Sequence, residues 1–555
     1  MSGRPIREQV LAWFAITVFF AIFVAPVLYA ALFLNDIASG SGRFGLILPA
    51  IVLADAENRQ SLLMAFGGSF SAVFAACVIG TGLGLASAQS GNRVYRAVRA
   101  LALLPGRIPA WVFPACFAAG RAATGLSPIP DSMIAYVWFV WVGWWGAARI
   151  GEILANAARS VTRGEWDAAR TLAGGSLPAM KVALIPRVAA DYRKEAKRIA
   201  AVCLFDPTPV FFLGLANWPI GKVSQLFAAG DLRSLVDASS WLLLLYVIWT
   251  IVAFAFRLAC GNHCRGNIVI QESSIPSDVT EIPAARSRAW LLPAMWPVLL
   301  AAMLAVAACI RLIQSSSGFR LVEIAVTHWE WIASWTLGSG VVLATGLFLA
   351  ILARFANAVR AVRFLNDLTS FCPLEVAICS VGILTVLADR FVTGSSSVIF
   401  DRLASEIWFP VFFFFVAAGI TTVSFRRSDK NASRSGTPEA MALAASEAAI
   451  TLGIPKRHAE VLASRTWRGS HTKLPVATVL LSAWWLWNSP SWAIVPAWRL
   501  SPVPTGGQVL VSLIQEHDSH ESGLAGVVIV MIVATILVFV KWAPGSKIRQ
   551  TRSVL

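Results

Sequence analysis

Arg107, Asp206 and Glu375 stand inside long apolar stretches of the chain. Ionisable side chains in such surroundings are costly and mark a pathway or an ion pair. If two parts of the chain face each other, Arg107 and Glu375 meet near a central path. The plainer alternatives are a structural ion pair and, for Arg107, a side chain snorkelling to the nearby inner surface. Two other clusters carry ligand chemistry. Glu516, His517, Asp518, His520 and Glu521 are of metal-binding type, but they occupy a polar stretch where any solvated sequence serves. Cys260, His263 and Cys264 form a CxxHC without a partner cluster, which is a weak zinc pattern. No metal site and no cofactor are assigned. No paired histidine or carboxylate cluster in the apolar runs offers catalysis. A phosphate-binding GxxxxGK[ST] loop is also lacking, since Gly214 and Gly221-Lys222 have the wrong spacing. The chain is therefore not expected to be an enzyme.

The elements that must position these residues are apolar spans. Of 555 residues, 57% are hydrophobic and 14% charged, against about 25% charged in soluble domains. Runs long enough to cross about 30 Å of hydrocarbon recur along the chain. They are Val10–Leu34, Ser61–Ala86, Ala100–Ala119, Ile129–Ala148, Ile199–Ala216 and Leu235–Phe256, then Trp290–Leu312, Trp331–Ala353, Leu368–Ala388, Ile407–Val423, Leu474–Trp487 and Leu524–Val540. The first exceeds a signal-peptide core and reads as a retained span. The fold expected is an all-α membrane protein of about twelve helices, because a lipid-facing backbone must satisfy its own hydrogen bonds. Five cysteines (Cys77, Cys116, Cys203, Cys309, Cys379) lie within apolar runs, which argues against a disulfide framework.

The net charge of +16 does not call for nucleic acid. With the N-terminus inside, Lys and Arg in the inner loops outnumber those in the outer loops about threefold, so both termini are expected in the cytoplasm. Trp138, Trp141, Trp144 and Trp145 read as an interfacial belt, as do Trp484, Trp485, Trp487 and Trp492. A polar linker at 263–288 separates a first half, 1–262, from a second, 289–555. Each half is expected to hold six spans, the two related by a pseudo-two-fold axis along the membrane normal. A prolyl third span recurs, with Pro105 and Pro109 in one half and Pro373 in the other. Each half also carries a long inner loop between its fourth and fifth spans, from Arg149 to Arg198 and from Arg426 to Lys473. Each loop reads as a short helix with small residues on one side, a Gly turn, and a second short helix. A surface-lying amphipathic helix and a docking element fit these features equally well.

The two loops, at 160–190 and 438–468, resemble the EAA loop of bacterial ABC importer permeases. That pattern is EAA, three residues, Gly, nine residues, Ile, one residue, Leu-Pro. In the second half Glu447, Ala448, Ala449 and Gly453 match its front, while Ala463, Arg465 and Thr466 replace its tail. In the first half Asp167, Ala168 and Ala169 take the front, the Gly shifts to Gly174, and Ala183, Ile185 and Pro186 end it with the Pro in register. Fusion of both halves is similar to permeases for ferric iron, thiamine and related solutes, as are Pro207 to Val210 and Leu226 to Asp231. The resemblance implies that these loops dock on two cytoplasmic ATP-binding subunits. It further implies a periplasmic solute-binding protein as partner, an inner-membrane location and alternating access. Since only the Glu447 loop keeps Glu and Gly in register, it implies unequal coupling of the halves. An ion-coupled secondary transporter with two six-span halves is the competing expectation.

Overall fold

The computed structural model describes residues 55–88, 93–124, 130–161, 163–174, 179, 183–215, 217–229, 232–259, 488–495 and 505–515, with individual residues within 299–310 and 375–383. All regular structure among them is helical. The helices are α1 (Ala56–Ala88), α2 (Arg93–Leu103), α3 (Val112–Thr124), α4 (Asp131–Ser160), α5 (Arg163–Ala173), α6 (Ile185–Phe205), α7 (Thr208–Phe211), α8 (Pro219–Ala229), α9 (Leu232–Ala259) and α10 (Gly506–Gln515). Two of them, α1 over Ala56–Ser87 and α9 over Ser234–Phe256, are long and apolar enough to cross a membrane. The outer face of α1 exposes Leu63, Phe70, Phe74 and Val78, a continuous apolar surface rather than scattered single residues.

Helices α1 and α4 run side by side in the same direction, and glycine sets their separation. A Cβ on Gly80 would stand 2.8 Å from the Ala147 carbonyl oxygen, and one on Gly84 would stand 2.9 Å from that of Gly151. The Gly80-x3-Gly84 spacing is thus a close-packing seam. Gly84→Leu is expected to cost about 1–3 kcal/mol by overpacking and to lower the melting temperature in detergent. Gly67→Leu on the same helix is the control, because nothing lies within 4 Å of its Cβ position.

Three predicted spans have different limits in the structure. The expected continuous span Ala100–Ala119 is broken. Helix α2 stops at Leu103, a 3-10 turn covers Pro105–Arg107, and Ile108 is extended before α3 begins at Val112. Pro105 and Pro109 account for the break, since neither has an N–H to continue a helical ladder. The fourth span continues past Ala148 to Ser160, and the fifth starts at Ile185 rather than Ile199. The long loop expected over Arg149–Arg198 therefore shrinks to residues 161–184. Both helices carry charge through this region because the charges pair. Arg149 donates to Glu195 at 2.7 Å from Nε and from Nη2, and Arg107 donates to Glu152 at 3.2 Å.

The expected interfacial belt at Trp138, Trp141 and Trp145 is likewise corrected: all three are buried in the main core. Two of them hold the broken segment. Trp141 Nε1 donates to the Ala110 carbonyl at 2.8 Å, Trp145 Nε1 to that of Ile108 at 2.9 Å, and Arg149 Nη1 to that of Gly106 at 3.0 Å. The donors are four residues apart on one face of α4 and the acceptors two residues apart. The extended Ile108 between the two turns opens the acceptor segment out along α4, so that successive acceptors meet successive donors. Backbone carbonyls freed by the break thus find partners inside the protein, the condition under which a non-helical segment survives at membrane depth.

The second half enters the described core through residues 375–383, 488–495 and α10. Val376, Ile378, Cys379, Ile383, Trp492, Ile494 and Val495 share one cluster with Cys203, Leu204 and Phe205 of α6. Val509, Leu510 and Leu513 of α10 pack against Ile108, Trp111 and Cys116. Among the described residues Cys77, Cys116, Cys203 and Cys379 form no disulfide. The remaining predicted spans and the linker fall wholly or mostly outside the described residues, as do the clusters at 260–264 and 516–521.

Candidate functional site

Two places carry the candidate residues, one at each end of the helices. The first is the loop between α4 and α6. Trp166 and Ala169, three residues apart on α5, are buried against Leu154, Ala158 and Val161 of the α4 end and Leu184 and Val188 near the α6 start. This pins α5 to the two helices that flank it. Its other face presents Glu165, Asp167, Ala168 and Leu172 to solvent. Leu172 is 84% exposed, the largest exposure among the described large apolar side chains. Gly174 ends the helix with φ +70, and its N–H reaches the Arg170 carbonyl at 3.1 Å. That left-handed conformation is one that L side chains rarely adopt, which explains a Gly here. Of the predicted docking residues, Asp167 and Ala168 face outward. Ala169 is corrected, since it belongs to the buried seam that carries the helix. Pro186 stands in the first turn of α6, where its missing N–H costs nothing. Glu447, Ala448, Ala449 and Gly453 lie outside the described residues.

The second place is a junction at the far end of α6. Helix α6 ends at Phe205, and Asp206, 6% exposed, turns the chain. Both the N–H (at 2.9 Å) and the hydroxyl of Thr208 donate to Asp206 Oδ1, which nucleates the single turn α7. A similar device stands in the second half. Ser489 Oγ accepts from the Ser491 N–H at 3.3 Å and starts a 3-10 turn over Pro490–Ile494. Among the described residues each capped prolyl turn precedes a short helix, the half-buried α8 after Asp206 and the buried α10 after Ser489.

Glu375 closes this junction. Its Oε1 accepts from Ser491 Oγ at 3.0 Å, and it lies within electrostatic reach of Asp206 and of Arg198 on α6. The structure thus brings Asp206 and Glu375 together and leaves Arg107 elsewhere, paired with Glu152 and partly exposed at 38%. The expected meeting of Arg107 with Glu375 is replaced by these two partnerships. Compared with protein-family models, with curated proteins and with solved structures, the chain matches none.

The junction holds residues that the sequence did not single out. Gln508 is one: its Nε2 donates to the Trp492 and Val495 carbonyls, both at 3.1 Å, while its Oε1 accepts from Thr505 N at 2.9 Å. Gln508 N in turn donates to Thr505 Oγ1 at 3.3 Å. Thr505-x-x-Gln508 is a capping box, a signal readable from the sequence had the stretch not been taken for an outer loop. Gly507 permits the contact, since a Cβ there would stand 1.8 Å from the Ser489 carbonyl oxygen. Among the described residues no group of three or more His, Cys, Asp or Glu could hold a metal.

Proposed function

We propose that this chain is the transmembrane permease of an ATP-driven importer, lying in a bacterial inner membrane with both termini cytoplasmic. Helix α5 carries the reading. It is a short helix anchored by Trp166 and Ala169 between two long helices, with Ala168 and the 84% exposed Leu172 facing out. An outward Leu beside a small residue suits the cleft of a partner better than water. The sequence carries no GxxxxGK[ST] phosphate loop, so on this reading the nucleotide belongs to a separate cytoplasmic subunit. The like-built capped turns at Asp206 and Ser489 support two related halves. The apolar outer face of α1 then faces lipid. Solute delivered by a periplasmic binding protein, of the ferric iron or thiamine class, moves between the halves. Nucleotide-driven movement of two such loops, the second around Glu447, reorients them.

The test is co-purification with an ATPase subunit and solute uptake in proteoliposomes containing both. Leu172→Glu with Glu447→Arg is expected to abolish co-purification and ATP-dependent uptake while leaving the chain folded. Full retention of the ATPase by this double variant would defeat the docking claim. One observation favours the second reading, an ion-coupled transporter: buried Asp206 and nearby Glu375 are of the type that carries coupling ions. Uptake that needs an ion gradient and no ATP would select it.

A further inference from the structure

We infer that Arg149 is a positioning residue that joins both arms of the docking loop to the interruption in the third membrane segment; the assignment rests on the function proposed above. Helix α4 enters the loop at Ser160 and α6 leaves it at Ile185. Arg149 belongs to α4, and its guanidinium grips α6 through both oxygens of Glu195 at 2.7 Å. The remaining terminal nitrogen holds the Gly106 carbonyl at 3.0 Å. Its ring neighbour is Trp145, whose centroid lies 5.0 Å from the guanidinium carbon. The side chain is 2% exposed and that of Glu195 14%, so water does not compete effectively for these bonds.

The donor ladder on α4 shows why Arg149 differs from the tryptophans. Trp141 and Trp145 tie the broken segment to α4 alone. Among these three donors, Arg149 ties it also to α6. A sliding of α6 against α4, of the kind that packed helices undergo in domain movement, therefore acts directly on the carbonyl of Gly106. Contact there is tight: a Cβ on Gly106 would stand 2.7 Å from the Arg149 backbone nitrogen. The planar fork makes this possible, because one guanidinium offers donors in two directions at fixed angles. The Arg107–Glu152 pair lies nearby but joins only the broken segment to α4, and it is partly exposed. The 3-10 turn at Pro105–Arg107 is thus the element moved, and the docking helix α5 is the lever.

Arg149→Lys keeps the charge but not the fork, and Glu195→Gln keeps one acceptor. Both variants, reconstituted with the ATPase subunit and binding protein, are expected to retain the ATPase and to hydrolyse ATP. Solute moved per ATP hydrolysed should fall about tenfold, as when an interaction made in one state only is lost. A merely structural role lowers yield and melting temperature while leaving this ratio unchanged in the molecules that fold. The apolar double variant Arg149→Met/Glu195→Leu is the second probe, and it too should hydrolyse ATP without transport. A wild-type ratio in the folded variants overturns the inference alone. Failure of all three to fold would mark the pair as structural and overturn it equally. A wild-type chain that neither holds an ATPase nor transports defeats the proposed function, and this inference with it.

Discussion

Glu195→Leu is expected to cost about 3–5 kcal/mol of stability, whereas Arg149→Met/Glu195→Leu should recover most of that loss. The single change leaves a guanidinium that is 2% exposed without its carboxylate. Desolvation of that charge is then opposed by the Gly106 carbonyl, the Trp145 face and the field of the Glu152 carboxylate. In the double variant no charge remains to desolvate, and two apolar side chains of similar volume fill the space between α4 and α6. One cost persists. The Gly106 carbonyl loses its donor, worth about 1–3 kcal/mol when such a group is buried. The double variant should therefore melt below wild type but well above the single one, as followed by thermal unfolding in detergent. Equal instability of the single and double variants would show that the site demands the ion pair for packing. Recovery matters for function as well, because it yields a stable protein that lacks the ties from Arg149 to both α6 and the broken segment.

Helix placement was legible to the extent that it depends on apolar length alone. Helices α1 and α9 extend only a few residues beyond the runs read from the sequence, because little but hydropathy sets their ends. Elsewhere the reading failed where one residue's cost is met by another far away in sequence. Arg149 and Glu152 looked like the start of a polar loop, yet Glu195 and Arg107 pair with them and the helix continues to Ser160. Trp138, Trp141 and Trp145 looked like an interfacial belt. Trp141 and Trp145 are instead spaced, with Arg149, as donors facing a broken backbone, which is visible only once Pro105 and Pro109 have interrupted the neighbouring segment, and Trp138 donates to the Cys203 carbonyl of α6. In the loop between α4 and α6 the turn at Gly174 was legible, because a local conformational demand selects the residue type. The burial of Ala169 was not, because a small residue serves a close internal contact as well as an external one. The stretch after Trp487 was taken for an outer loop on polarity. Its capping box and the close approach at Gly507 make it part of the core.

Glu375→Gln is expected to lower uptake at least about tenfold, the effect of about 1.4 kcal/mol on one step, while assembly stays intact. The substitution keeps an oxygen to accept the Ser491 hydroxyl and keeps the side-chain volume, so the link to the Pro490–Ile494 turn survives. What it removes is the ability of this carboxyl to carry negative charge within electrostatic reach of Asp206 and Arg198. In a low-dielectric junction such a charge acts over several ångströms, and any solute passing between the halves would meet it. Asp206 allows a sharper comparison. Asp206→Asn retains Oδ1 for the Thr208 N–H and hydroxyl, so α7 should form and uptake should fall for electrostatic reasons only. Asp206→Ala loses the cap as well, at about 1 kcal/mol, and should lower both stability and uptake. Uptake in proteoliposomes, read beside melting temperature for each variant, separates the two effects. If Glu375→Gln and Asp206→Asn both transport normally, the carboxylates serve only to fasten the turns, and the path for solute lies elsewhere. If both lose uptake while melting as wild type does, the charge itself is what the junction conserves at the cost of burying it, and the two capped turns are the means by which each half holds its wall of the path.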